Sequence, residues 1–172
     1  MRKLACSLIF MLMPMAAQAA QPSELQPYFK GDAPYSSAVL SILWMDVYQI
    51  SLWTDDDMWQ PDSRYALSIT YRMSFSADEL VDRTCDEMQR HAAGGESRCL
   101  SLRDVLLQAM PDVTPGDRIS AVHLNDGTTR FYKNGVSTGE ITDRQFSDGF
   151  FAIWLGKNTS EPSLRKELVG LQ

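Results

Sequence analysis

The feature that most constrains the fold is the stretch VLSILWMDVYQISLW, Val39 to Trp53, in which residue character alternates with a period of two. Seven of the eight even positions from 38 to 52 are apolar or aromatic, and the exception is Asp46. One strongly apolar face at this period predicts extended strand. The stretch is long for one strand, so we expect a bend or turn near Met45-Asp46, with Asp46 partly solvated at the junction. It is also too short and too polar for a membrane-spanning helix.

The N-terminus has the three-part layout of a secretory signal peptide. Arg2 and Lys3 precede a short apolar run, and the small-residue sequence AQA ends at Ala19. A buried first helix is the alternative, but it would leave the basic start and the small-residue exit unexplained. We therefore interpret residues 1–19 as a signal peptide and residues 20–172 as one domain, and we expect a periplasmic protein.

The charge of this domain limits the class of partner. The 16 Lys and Arg residues of the chain fall to 14 when Arg2 and Lys3 are removed, against 22 Asp and Glu residues, so the net charge is −8. An acidic domain repels phosphate backbones and anionic lipid, so we expect no nucleic acid partner. No later apolar run is long enough to predict a transmembrane segment in the mature chain.

Cys85 and Cys99 are the two cysteines that remain after residues 1–19 are removed. In an oxidising compartment an isolated even pair favours a disulfide, and two reduced, buried thiols are the alternative. The pair is spaced much more widely than a redox C-x-x-C motif, so a thiol oxidoreductase is not indicated.

Further strands and helices follow from the same kind of pattern. YALSITYRM, residues 65–73, alternates so that Tyr71 and Arg72 lie on opposite faces of a strand. Ser76 and Glu79 have capping-box spacing and predict the start of a helix. The sequence AAGGES predicts a loop, and LSLRDVLLQAM a second helix that ends before a proline.

The remainder of the chain predicts a β-meander followed by two helices. Turns are expected at residues 125–127 and 134–135, between short strands. Thr142 is the expected cap of DRQFSDGFFAIWLG, and SLRKELVGL closes the chain as a short amphipathic helix. Strands, two helices, a meander and two helices predict an α+β fold with an antiparallel sheet and segregated helices.

Sequence signatures of catalysis or metal binding are missing. No G-x-S-x-G elbow occurs, and His91 and His123 lie on different elements without ligand spacing. The acidic run of residues 55–57 lacks the spacing and the glycine of a calcium loop. We therefore assign no catalytic residue, no metal and no cofactor.

A pocket is instead suggested by arginines among aromatic residues, which can hold a carboxylate or phenolate while the rings bury an apolar body. A packed sheet whose charged side chains reach water is the alternative. The candidates are Tyr48, Trp53, Tyr71, Arg72, Arg130, Tyr132 and Trp154.

Several segments, taken together, resemble the chalcone isomerase-like family. They are LSILWMDVYQISLW, YALSITYRMSFSADEL, PDVTPGDRI and GEITDRQFSDGFFAIWLGKNTSEPSLRKELVGL. The order and spacing of their V-Y…L-W, G-D-R-I, F-x-x-x-F-F-x-I-W-L-G and L-R-x-x-L elements carry the resemblance, which covers nearly the whole mature chain. It is nearest to the secreted bacterial branch of the family. The resemblance implies an open-faced β-sandwich, a large antiparallel sheet with helices layered on one face.

The resemblance also implies two possible activities. The family's plant enzymes cyclise chalcones with an arginine near the early strands, and related members bind fatty acids through an arginine and a tyrosine. This sequence has no Arg or Lys between Lys30 and Arg64, and Ser41 stands where many relatives have the arginine. Tyr48 matches the V-Y position. This departure argues against the isomerase reaction.

Three functions are therefore compared. The favoured one is a non-catalytic domain that binds a small apolar or amphipathic, fatty-acid-like ligand, or a protein partner, with Tyr48, Tyr71, Arg72 and Trp154 as candidate ligand-binding residues. The first alternative is an isomerase or lyase acting on a small aromatic substrate. The second is a structural or interaction protein with a filled core.

Overall fold

A six-stranded antiparallel sheet forms the centre of the protein. The computed structural model describes residues 21–91 and 95–171. The strands follow one another across the sheet in chain order, and each pairs antiparallel with the next. Their bounds are β1 Ser36–Ile42, β2 Met45–Trp53, β3 Tyr65–Tyr71, β4 Arg118–His123, β5 Thr128–Lys133 and β6 Val136–Thr142.

The long alternating stretch folds as the β1–β2 hairpin. Its turn lies at Leu43 and Trp44, two residues before the expected position, and Leu43 has a φ of 59°. Asp46 is exposed at the start of β2, where it accepts a hydrogen bond from Ser41 Oγ at 2.6 Å. The long stretch is therefore divided into two strands, and Asp46 is solvated, as predicted. The turn lies closer to the N-terminus than expected.

Alternation gives the sheet two different faces. On one face, Ile50, Leu67, Ile69, Phe131 and other buried side chains form the main core with the helices. On the other face, Trp53, Ala66 and Val122 form a smaller cluster with Leu25 and Phe29 of the segment before β1. The helices lie on the first face, so the predicted α+β architecture with helices on one face of an antiparallel sheet is confirmed.

Three helices connect β3 to β4. They are α1 Ala77–Met88, α2 Gly95–Ser101 and α3 Arg103–Ala109. The predicted capping box at the start of α1 is present, because Ser76 Oγ accepts from the Glu79 N–H and the Glu79 carboxylate accepts from the Ser76 N–H. The prediction for the next segment was wrong: Gly95 to Ser97, expected in a loop, are helical, and the single expected helix is divided at Leu102.

Cys85 and Cys99 form a disulfide that joins α1 to α2, with their Cα atoms 5.2 Å apart. The predicted bridge is therefore confirmed. It lies on the core side of both helices, where both cysteines are buried.

Two more helices follow β6: α4 Arg144–Leu155 and α5 Pro162–Val169. The cap of α4 is Asp143, whose carboxylate accepts from the Phe146 N–H at 3.0 Å, and not Thr142 as expected. Thr142 ends β6, with its hydroxyl 3.1 Å from that of Thr128. The carboxylate of Asp143, one residue later, accepts from a free N–H group of the first turn of α4, so that Thr142 remains part of β6.

The predicted signal peptide, residues 1–19, lies outside the described residues. Within the described part of the chain, no helix is both long and apolar enough to cross a bilayer.

Candidate functional site

A cavity of about 440 Å³ lies between the sheet and the helices. Its floor is the helix-facing side of the first four strands, and its roof comes from α1, α4 and the segments beside them. The lining residues are Leu40, Ile42, Val47, Tyr48, Leu67, Ile69, Tyr71, Phe75, Glu79, Leu80, Arg83, Thr84, Glu87, Met110, Ile119, Ala121, Phe150, Ile153, Trp154, Ser160 and Glu161.

Strand register explains why the floor is apolar. Leu67 pairs with Ala121 and Ile69 with Ile119 across β3 and β4, so paired side chains emerge on the same face. The small side chain of Ala121 leaves room above the sheet. On α4, Phe150, Ile153 and Trp154 follow the spacing that places residues on one side of a helix, and that side closes the cavity from above.

An aromatic cluster stands at one side of the cavity. Trp154 Nε1 donates a hydrogen bond to the Tyr48 hydroxyl at 2.9 Å, and the rings of Tyr48 and Tyr71 meet edge to face with centroids 6.1 Å apart. Three of the four candidate ligand-binding residues are thus brought together. Because the Tyr48 oxygen already accepts from the indole, its own proton is free to be donated to a ligand.

Both phenols are neutral at ordinary pH, and burial raises their pKa values further above it. Burial raises the pKa of Tyr48 to about 12, although the hydrogen bond from Trp154 acts in the opposite direction. Burial also raises the pKa of Tyr71 well above its usual 10.0. Neither tyrosine can therefore act as an anion near neutral pH, and both can only serve as neutral hydrogen-bonding groups.

Charged side chains gather on the helix side of the cavity, on α1 and just before α5. Arg83 Nη2 lies 2.8 Å from Glu87 Oε1, and Arg90 Nε lies 3.3 Å from Glu87 Oε2. The Glu87 side chain is buried, whereas that of Arg83 is mostly exposed. Of the described residues that line the cavity, Arg83 is the one cation, beside Glu79, Glu87 and Glu161.

Arg83 was missed by the reasoning from sequence. An arginine four residues before a glutamate on a helix is typical of a solvent-exposed ion pair. The sequence does indicate, by helical spacing, that Arg83 lies on the same side of α1 as Leu80, Thr84 and Glu87. Only the packing of α1 over the sheet shows that this side lines the cavity.

Arg72 is not among the lining residues. It is exposed and forms an ion pair with Asp46. The reason is the alternation of β3, which continues through Arg72: because Tyr71 faces the helices, its neighbour faces away. The structure thus separates Arg72 from Tyr48, Tyr71 and Trp154.

The other pocket candidates also lie on the face away from the helices. Trp53 Nε1 donates to Ser68 Oγ at 3.0 Å. Tyr132 and Arg130 both contact the Tyr28 hydroxyl, at 2.7 Å and 3.1 Å. These side chains hold the segment before β1 against the sheet.

Neither histidine lines the cavity. The ring of His123 stacks on that of Tyr65 with centroids 4.5 Å apart, and burial lowers its pKa below 6.5. Among residues 21–91 and 95–171, no three His, Cys, Asp or Glu side chains are grouped so that they could hold a metal ion.

The sequence matches the profile described as chalcone isomerase-like over residues 37–170, which is more than half of the chain. The chain belongs to the chalcone isomerase-like family. The match spans β1 to α5 and therefore includes every element that builds the cavity. No curated protein sequence matches this chalcone isomerase-like chain.

Solved structures agree with the family's fold. One of them is the crystal structure of a fatty-acid binding protein from Arabidopsis thaliana, with a TM-score of 0.59 and 10% sequence identity. The similarity covers 82% of this chain and 89% of that chain. At this identity the likeness shows a shared fold.

Proposed function

We propose that this protein binds one small amphipathic molecule without transforming it, with the apolar part in the cavity and the polar end beside Arg83 and Tyr48. The observation that carries the proposal is the cavity itself. Its volume of about 440 Å³ falls within the range of about 300–1,000 Å³ for small-molecule sites, and such sites combine apolar walls with a few polar groups. The fatty-acid binding protein with the same fold supports a ligand of this class.

The polar end of the ligand has two partners in this arrangement. The guanidinium of Arg83 can share its N–H donors between Glu87 and a ligand carboxylate, because one guanidinium carries five donors. The Tyr48 hydroxyl can donate one further hydrogen bond. Glu79, Glu87 and Glu161 oppose a second negative charge nearby, so we expect a ligand with a single carboxylate or a neutral polar end.

Exchange of Arg83 tests this assignment. Arg83→Met keeps most of the aliphatic part of the side chain and removes its guanidinium and its charge. We therefore expect dodecanoate to bind about tenfold or more weakly, as for loss of one charge-assisted hydrogen bond. Dodecanol, which has no carboxylate, should bind the variant and the wild type equally. Isothermal titration calorimetry measures both.

Arg72→Met is the matched control, since it removes an arginine that forms its ion pair outside the cavity. We expect it to leave dodecanoate binding unchanged. If Arg72→Met loses binding and Arg83→Met does not, Arg72 and not Arg83 binds the ligand carboxylate. Binding of neither dodecanoate nor dodecanol to the wild type would refute the proposal.

The location of the protein is a separate proposal: that it is exported to the periplasm. The N-terminal pattern ending at Ala19 supports it, as does a disulfide, which persists in an oxidising compartment. Intact mass of the protein purified from the periplasm should correspond to a chain that starts at Ala20. A mass that still includes Cys6 would contradict it.

A further inference from the structure

The tip of the β1–β2 hairpin, residues Ile42–Met45, is apolar and exposed to solvent. Leu43 is 80% exposed and Trp44 is 84% exposed, and Ile42 and Met45 beside them are about half exposed. We call these four residues the apolar tip. Scattered apolar residues on a surface are ordinary, but four consecutive ones at the end of a projecting hairpin form a patch.

The residues Leu43 and Trp44 are a poor choice for a hairpin turn if the turn serves only the stability of the fold. A two-residue hairpin turn prefers Asn-Gly or a similar pair, because its backbone needs positive φ angles. Leu43 adopts a φ of 59°, which is uncommon for a residue that is neither glycine, asparagine nor aspartate. The β5–β6 turn of the same sheet has the favoured pair, Asn134 and Gly135, both at positive φ. A strained, exposed apolar turn therefore indicates a contact outside the fold.

The apolar tip is continuous with the cavity. Ile42 belongs to the tip and also lines the cavity, and Leu40, two residues earlier on the same side of β1, lines it as well. Ile42 pairs with Met45 across the hairpin. An apolar path therefore runs from the exposed tip along β1 into the proposed ligand site.

We propose that the apolar tip inserts into the surface of a zwitterionic phospholipid bilayer, and that the ligand passes between the bilayer and the cavity along Ile42 and Leu40. The passage of the ligand rests on the function proposed above. The insertion rests on the tip alone.

Two observations favour lipid over a protein partner, and a third favours zwitterionic over anionic lipid. A four-residue convex tip is small beside the roughly 800 Å² that each partner contributes to a standard protein interface. Tryptophan is enriched at the interface between lipid and water, where its ring is buried and its N–H stays solvated. Without residues 1–19 the chain has 14 Lys and Arg against 22 Asp and Glu residues, a net charge of −8, which disfavours anionic lipid. The charges next to the tip, Asp46 and Arg72, neutralise each other.

Vesicle binding tests the insertion. We expect the full chain without residues 1–19 to sediment with phosphatidylcholine vesicles, and the double variant Leu43→Ser/Trp44→Ser to bind them about tenfold or more weakly, since two large apolar side chains leave the lipid. The control is Met58→Ser/Val136→Ser, which removes two exposed apolar residues, 66% and 67% exposed, away from the tip. This control should bind like the wild type.

Equal binding by the tip variant and the wild type, or no binding by the wild type, would overturn the insertion. So would a wild-type dimer in solution that the tip variant converts to a monomer, because the tip would then bind a second copy. Circular dichroism of the tip variant, expected to match the wild type, shows that it is folded.

Ligand transfer separates this proposal from the function on which it rests. In vesicle-free solution, the tip variant should bind dodecanoate with wild-type affinity, but it should take up dodecanoate from phosphatidylcholine vesicles about tenfold more slowly. Arg83→Met should show the reverse, normal vesicle binding with weak dodecanoate binding. Vesicle binding without any dodecanoate binding would refute the proposed function and support the insertion, whereas equal transfer rates in the wild type and the tip variant would overturn the passage along Ile42.

Discussion

At the scale of single residues, the face of the sheet away from the helices carries a buried ion pair. The Glu24 side chain is fully buried, and its Oε1 and Oε2 accept from Arg118 Nε at 3.0 Å and Nη2 at 3.2 Å. Ser120 Oγ donates a further hydrogen bond to Oε1 at 2.8 Å. Burial acts to raise the pKa of Glu24, but the hydrogen bonds from Arg118, its own backbone and Ser120 outweigh it and lower that pKa below 4.5.

Glu24→Gln should therefore destabilise the protein. The variant removes the charge that these donors stabilise, and we expect the free energy of unfolding to fall by about 2 kcal/mol near pH 7, because Arg118 is partly exposed and can turn to water. Since the folded pKa is lowered, this contribution is present above about pH 4.5 and is lost as the pH falls through the folded pKa. Urea unfolding at pH 7 and at pH 3 measures it. A difference between variant and wild type that is as large at pH 3 as at pH 7 would contradict this assignment.

At the scale of secondary structure elements, the disulfide and the helix caps fix the layer above the cavity. The bridge joins α1, which carries Arg83, to α2. Arg98 of α2 donates to the Asp143 carboxylate at 2.7 Å, and Asp143 caps α4, which carries Trp154. The helices on two sides of the cavity are thus linked through α2.

Replacing both cysteines should lower stability without abolishing the fold. The bridge closes a loop with a sequence separation of 14 residues, for which loop closure predicts about 3 kcal/mol. We expect Cys85→Ala/Cys99→Ala to unfold at a correspondingly lower urea concentration, and the wild type to approach it when a reductant is added. If reductant shifts the double variant as much as the wild type, the effect does not come from this bridge.

At the scale of the whole molecule, the periodicity of the sequence predicts the fold. It predicts only part of the candidate site. The alternation around Tyr48 and Tyr71 predicts strands with one buried face, and the capping box at Ser76 predicts the start of α1, because these patterns are local. Arg83 could not be found in this way, since its place depends on how α1 packs over the sheet. The turn was predicted two residues too late because Leu43 and Trp44 are not among the residue types that usually mark a turn, which are Gly, Pro, Asn, Asp and Ser.

Ala121 gives the most direct test of the central claim, that the space above the sheet is a ligand site. Its side chain lines the cavity from β4. Ala121→Phe should fill this space without a loss of stability, because the added ring enters existing volume. Ala66→Phe is the matched control on the opposite face, where Ala66 is buried in the cluster with Trp53 and Val122. There the same substitution overpacks the core and should cost about 1–3 kcal/mol.

Titration of Ala121→Phe with dodecanoate, followed by native mass spectrometry, is the decisive measurement. We predict a complex of one dodecanoate per wild-type chain, and no complex for the Ala121→Phe variant although it remains as stable as the wild type. A folded Ala121→Phe variant that binds dodecanoate as well as the wild type would contradict the assignment of the cavity as the binding site.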